Sequence, residues 1–217
     1  MHGEEYLETH QKRYDMTIEY LQGRGYLEDN TKVLELGGPS EFTEILKERC
    51  NVNITNTSTD LRYPFCDEEW GKFDLILCME LIEHIKDQDT SDFDELAVFT
   101  GSGIKCMLKE CDQLLKGNGA LFVSTPNIHC YRVLENWCNN DEIYTYGPHP
   151  RELTMQYLEE VLGEYFDLKV KYIKCWDCHG TSPEFIKVAK KFLNKINRSS
   201  KNRDKGDIFI TCTRKGD

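Results

Sequence analysis

Residues Phe73 to Cys78 read FDLILC, a strand-length run with one polar side chain in it. Such a run, lacking the alternation of a half-solvated strand, is a strand buried on both faces and needs helices above and below its sheet. Lys32 to Leu36, Ala120 to Ser124 (ALFVS) and Asp207 to Thr213 (DIFITCT) carry the same signal, and Val52 to Thr57 and Leu168 to Lys174 are β-like. Helical patterns separate them at Glu4 to Leu21, Ser40 to Arg49, Ile104 to Leu115, Leu153 to Tyr165 and Pro183 to Ile196. FDLILC is expected to run into a helix at Met79, and Lys116-Gly117-Asn118-Gly119 to form the turn that delivers Ala120. The alternation predicts an α/β fold with a mostly parallel central sheet and helices on both faces. A chain of 217 residues suits one elaborated domain. The elaborations are a helical cap over 1–30, a substrate lid over 128–151 and a basic helical insertion over 181–205.

Charge narrows the partners. The net charge is −11, yet Glu184 to Lys205 holds eight Lys/Arg against two acids, a local +6 that leaves −17 elsewhere. Duplex nucleic acid needs phosphates neutralised across a surface, so nucleic acid is not expected as a partner. The basic stretch itself reads as a solvated amphipathic helix and loop. No apolar run approaches the roughly 18 residues of a membrane span, and no membrane partner is expected. Met1 to Tyr20 is polar without an apolar core, which points to a cytoplasmic protein whose ten cysteines are thiols. Cys175-Trp176-Asp177-Cys178-His179 spells a haem-attachment pattern, but that chemistry belongs to exported proteins.

A candidate ligand loop stands at Glu35-Leu36-Gly37-Gly38-Pro39-Ser40-Glu41. A buried strand that enters two glycines and then a helix lets a ligand approach the backbone at a helix N-terminus. An acid about 20 residues on would hold ribose hydroxyls, and Asp60 is placed to do so. The loop is neither a G-x-G-x-x-G nor a Walker motif, so alone it is equally a plain strand-to-helix turn.

The order of the motifs says more. Glu35-Leu36-Gly37-Gly38, Asp60, FDLILCMELIEHI and LLKGNGALFVSTPN follow one another at the spacing of class I S-adenosylmethionine-dependent methyltransferases, which the chain resembles from roughly Thr31 to Phe166. The resemblance implies a Rossmann-like fold with an antiparallel last strand, and S-adenosyl-L-methionine as cofactor. It places Glu35, Gly37, Gly38 and Pro39 along the methionine and ribose portions, Asp60 at the ribose or adenine edge, and Met79 and Glu80 at the mouth of FDLILC. Only Leu61 to Lys72 separates Asp60 from FDLILC, where most relatives have a helix and a strand. Either that unit is lost or Asn53 to Asp60 fills the neighbouring strand's place, making Asp60-Leu61-Arg62 the adenine-side loop.

On a helix starting at Met79, Glu80, Glu83 and His84 would share a face at the carboxyl edge of the sheet. With His149 they could hold a divalent cation, Mg²⁺ or Mn²⁺. The pattern resembles small-RNA 3′-terminal 2′-O-methyltransferases, where an E-x-x-E-H helix and a later His hold a metal, and ubiquinone-biosynthesis O-methyltransferases. The alternative is a metal-free hydrogen-bond network with His84 or His149 as base. Substrate contacts are expected from His10, Arg13 and Tyr14 before the first strand, and from Asn127, Tyr131, Arg132, Tyr146 and Arg151, a mixture suited to stacking and to anion pairing. Packing alone would equally account for Tyr14.

Together these point to a methyltransferase acting on a hydroxyl of a small polar acceptor, a sugar or sugar nucleotide, since His149-Pro150-Arg151-Glu152-Leu153-Thr154 resembles methyltransferases of surface-polysaccharide pathways. An RNA 3′-terminal 2′-O-methyltransferase and a non-catalytic cofactor-fold partner subunit are the rival readings. A homodimer is left open.

Overall fold

The computed structural model describes residues 3–89, 102–139, 141, 149–174, 181–196 and 198–215. Tyr146 and the Cys175 to His179 motif lie outside them. One sheet holds β1 (Lys32–Glu35), β2 (Asn53–Asn56), β3 (Phe73–Met79), β4 (Leu115–Pro126), β5 (Phe166–Ile173) and β6 (Asp207–Arg214), in the order β2-β1-β3-β4-β6-β5. The first four run parallel, and β6 lies antiparallel to both its neighbours. Around the sheet stand α1 (Gly3–Gln22), α2 (Glu41–Arg49), α3 (Gly103–Leu114), α4 (Tyr131–Cys138), α5 (Met155–Gly163) and α6 (Pro183–Lys195). This is the mixed α/β, mostly parallel architecture read from the sequence.

Alternate side chains of β3 enter opposite cores, as the pleat requires. Ile76 and Cys78 pack with Met107, Leu108 and Cys111 of α3 and Leu158 and Leu162 of α5. Leu75 and Leu77 pack with Ile18 and Leu21 of α1 and Phe42 and Leu46 of α2. α2 has nine residues, too few to persist alone in water, so burial of Phe42 and Leu46 holds it in place. The N-terminal helix is part of this core: Tyr20 lies against the rings of Phe122 and Phe209 and its hydroxyl bonds Thr211 Oγ1 at 2.9 Å.

Two local expectations are corrected. β3 does not run into an α-helix at Met79. Glu80 adopts φ +48° and is followed by a single 3₁₀ turn, Ile82–His84. Lys116 to Gly119 is not a turn but an irregular start to β4, whose register with β3 shifts between Phe73 and Leu75. Gly119 is needed there because a Cβ would stand 2.9 Å from the Phe73 carbonyl oxygen. The proposed lid contains α4, tied to the 181–205 insertion by Tyr131 N–H donating to the Arg203 carbonyl at 2.7 Å and by α4–α6 packing. Between β2 and β3 the chain forms only the short 3₁₀ turn Glu68–Trp70, so a helix–strand unit is lost and β2 is an outer strand.

Candidate active site

The parallel strands β1, β3 and β4 end on one edge of the sheet, where open α/β sheets bind ligands. Beyond β1 the chain turns through Gly37 and Gly38, at φ +91° and +90°, values that glycine adopts without the penalty a Cβ brings. The Gly37 N–H donates to Thr57 Oγ1 at 2.8 Å, fixing the loop against the end of β2. The loop borders a cleft of about 220 Å³ lined by Glu35 to Ser40, Phe42, Met79 to Leu81, and Arg13 and Tyr14 of α1.

Glu35 is the rigid corner of this loop. It is buried, and its carboxylate accepts from Ser40 Oγ at 2.5 Å, from Asn56 Nδ2 at 2.8 Å and from the Thr43 hydroxyl. Ser40 also caps α2, with a reciprocal bond from its own N–H to Thr43 Oγ1. Both carboxylate oxygens therefore serve the loop's own shape. Ser40, Thr43 and Asn56 went unnoticed as site residues, though the S-x-x-T spacing at a helix start is a capping signal.

Arg13 and Glu80 meet at the cleft, Nη1 to Oε2 3.2 Å, with side chains 6% and 16% exposed. The second Glu80 oxygen, Oε1, is buried with no hydrogen-bond partner among the described residues. Tyr14 packs its ring on Phe42, and His10 sits near Tyr14, its imidazole pushed down to about 4 by burial and by Arg13. Removing one member of a mostly buried pair leaves the other charge uncompensated. Arg13→Leu is therefore expected to lower the unfolding free energy by about 3 kcal/mol. Urea denaturation of the two proteins checks this, and equal midpoints and slopes would refute it.

Because Glu80 turns back toward Arg13, the sequence-predicted quartet divides. Glu83, His84 and His149 converge, with one ligand atom from each lying within 4.8 Å of the others. The two imidazoles stand edge to face, centroids 4.6 Å apart, and Glu83 Oε1 lies 3.9 Å from His149 Nε2. Glu83 Oε2 accepts from Thr125 Oγ1 at 3.0 Å, whereas its buried Oε1 has no hydrogen-bond partner among the described residues. Burial, with Glu80 as a second cause, holds the Glu83 carboxyl well above the usual carboxylate range. Burial, then His149, pushes His84 down, favouring its neutral form. Glu152, 3.1 Å from His149 Nδ1, was missed as a site residue. In the tautomer whose Nδ1–H donates to Glu152, the Nε2 of His149 carries the lone pair on the side of Glu83.

The remaining candidates are dispersed. Asp60 is exposed and pairs with Arg62, Oδ2 to Nη2 2.8 Å, away from the cleft lining. Asn127 is buried and clasps the insertion, donating to the carbonyls of Asn202 and Lys205 and accepting from the His129 N–H. Tyr131 packs under α6, Arg132 is half-buried on α4, and Arg151 pairs with Asp87 at 3.0 Å. Leu81, not expected from the sequence as a site residue, packs beside Gly37 and closes one wall of the cleft.

The sequence profile described as a methyltransferase domain matches residues 6–170. Among curated proteins none is similar enough in sequence to match. Similar solved structures include a SAM-dependent methyltransferase from Archaeoglobus fulgidus, 18% identical with TM-score 0.54, covering 96% of this chain and 99% of that one. The small RNA methyltransferase HEN1 is 13% identical with TM-score 0.58, covering 95% of this chain and 25% of its own. The N-methyltransferase NodS from Bradyrhizobium japonicum is 14% identical with TM-score 0.52, covering 96% and 88%.

Proposed function

The chain belongs to the methyltransferase domain family as an S-adenosylmethionine-dependent enzyme, and on that premise we propose that it methylates a hydroxyl of a small polar acceptor, a sugar or sugar nucleotide. The observation that carries the reading is the junction of two features on one sheet edge. The double-glycine cleft suits the cofactor, and the Glu83, His84 and His149 cluster beside it suits a hydroxyl. The Arg13–Glu80 pair fits the zwitterionic end of S-adenosylmethionine: Arg13 meets its carboxylate and the unbonded Glu80 Oε1 accepts from its ammonium. Gly37, Gly38 and Pro39 pass along its flank.

The sulfonium is already activated, so the protein mainly aligns the acceptor and excludes water. The hydroxyl oxygen bonds the methyl carbon as the carbon–sulfur bond breaks, S-adenosylhomocysteine leaves, and the hydroxyl proton must go to a base. His149 Nε2, with Nδ1 held by Glu152, is poised to take it, and His84 is a second imidazole kept neutral by its surroundings. The cluster also fits a divalent cation, because a buried carboxylate oxygen without a hydrogen bond faces two imidazoles. One carboxylate against two nitrogens favours Mn²⁺ over Mg²⁺. Glu83, His84 and His149 would hold it, with Glu80 outside the set. When bound, such a cation supplies Lewis acidity that eases loss of the hydroxyl proton. The eight described cysteines are free, in keeping with a cytoplasmic setting, and no helix among the described residues is long and apolar enough to cross a membrane.

Thermal shift with S-adenosylhomocysteine, followed by a panel of nucleotide sugars, tests the acceptor class: a further shift with one sugar nucleotide is expected, and none across the panel would refute it. RNA provides the opposing test. With −17 outside the basic stretch, binding to a short single-stranded RNA should be weak and vanish with modest salt. Tight, salt-resistant binding at physiological ionic strength would favour an RNA 3′-terminal acceptor instead.

A further inference from the structure

α6 opens at the Ser182 cap with Pro183 in its first turn and packs Phe185, Ile186, Ala189 and Leu193 against Tyr131 and Leu134 of α4. That seam uses only part of its apolar surface. Val188, Phe192 and Ile196, spaced four apart, form a second row that is 66%, 59% and 46% exposed. Trp137 of α4 is 65% exposed. One position back along the helix, Lys187, Lys191 and Lys195 form a parallel basic row, also exposed. Leaving three large apolar side chains in water on one short helix is costly unless something covers them.

We propose that this face, Trp137 with the paired rows of α6, docks on an anionic lipid bilayer surface. The pairing of the rows selects that occupant. A helix lying in the interfacial plane immerses apolar side chains below the headgroups and sets lysines among their phosphates, with Trp suited to the boundary. The charge is complementary: the region is +6 in a chain that is −17 elsewhere, so the protein would meet the membrane by this face alone. A second copy of the chain fits less well, since stacking like faces sets lysine rows against each other, and four apolar side chains fall short of the roughly 20–30 residues a side of a stable dimer. RNA would leave the aliphatic row uncovered.

The face is joined rigidly to the sheet edge that carries the cleft. Asn127, just past the end of β4, donates its N–H to the Gly206 carbonyl at 2.7 Å and clasps Asn202 and Lys205 through its side chain. Docking would thus hold the active edge near the bilayer. The expectation of no membrane partner, drawn from the lack of a span, does not bear on a surface contact of this kind. The inference is independent of which acceptor is methylated.

Co-sedimentation with phosphatidylcholine vesicles, with and without about one third phosphatidylserine, tests it. Expected is binding to the anionic vesicles alone, reversed by salt. Phe192→Ser with Trp137→Ser should weaken it at least about tenfold, and Lys187→Gln, Lys191→Gln and Lys195→Gln about fivefold each. The shift caused by S-adenosylhomocysteine should persist in every variant, showing an intact fold. No binding to anionic vesicles, binding indifferent to the serine variants, or a solution dimer that Phe192→Ser dissociates would each overturn the proposal. So would RNA binding with the same dependence on both rows.

Discussion

Gly37→Leu is expected to abolish S-adenosylmethionine binding, with at least about a hundredfold loss of affinity. Two effects act together. At φ +91° any side chain costs about 1–2 kcal/mol in backbone strain. A Cβ there also lies 3.2 Å from both Leu81 methyl carbons, so the rest of a leucine must displace Leu81 or occupy the cleft. The cleft is only about 220 Å³, and little room is left for a ligand. Gly117→Leu is the matched control, because a Cβ at that position meets nothing within 4 Å, and it should bind normally. Should Gly37→Leu fold poorly, Gly38→Ala serves in its place: its Cβ touches the protein only at the Thr57 carbonyl, 3.5 Å away, while Gly38 still lines the cleft. Calorimetry reads the affinity and circular dichroism the fold. Unchanged affinity in a folded Gly37→Leu would remove the cofactor from this loop.

Glu83→Gln should lower Mn²⁺ affinity by about two orders of magnitude or more while leaving S-adenosylhomocysteine binding intact. Glu83 supplies the one carboxyl oxygen within the 4.8 Å cluster, anionic once the ion displaces its proton, and its amide replacement offers a weaker, neutral oxygen to the same ion. Glu152→Gln should cost roughly tenfold, in line with partners that orient a ligating imidazole without touching the metal. Glu80→Gln should leave Mn²⁺ affinity nearly unchanged, since Glu80 is turned toward Arg13. Manganese paramagnetic resonance gives the affinities without any acceptor substrate. If the wild type binds no Mn²⁺, His149 is left as a plain base supported by Glu152. If Glu80→Gln binds as poorly as Glu83→Gln, the quartet expected from the sequence is restored.

Much of the architecture was written in periodicity. The unbroken apolar run of β3, the helical patterns of α3 and α5 and the double glycine after β1 are local, and each is enforced by burial or by backbone sterics that neighbouring residues cannot evade. The boundary at Met79 was not legible. Met79-Glu80-Leu81-Ile82-Glu83-His84 contains no glycine or proline to announce a break, yet Glu80 holds φ +48°. Its ion pair with Arg13 comes from a helix far away in sequence, and pattern reading has no term for that. The 116–119 segment misled for the opposite reason: its glycines, which normally mark a turn, here admit the Phe73 backbone at close range.

The sequence by itself determined the fold family, the sheet-covering helices and the glycine loop, because these rest on burial and backbone geometry within contiguous stretches. Tertiary structure alone decided which acid faces what. Glu35 is occupied by Ser40, Thr43 and Asn56; Glu80 goes to Arg13; Glu83 goes to Thr125 and the two histidines. Three carboxylates of nearly equal intrinsic chemistry acquire different tasks through the partners that folding brings within hydrogen-bond or ion-pair reach, and those interactions decay over a few ångströms of space regardless of distance along the chain.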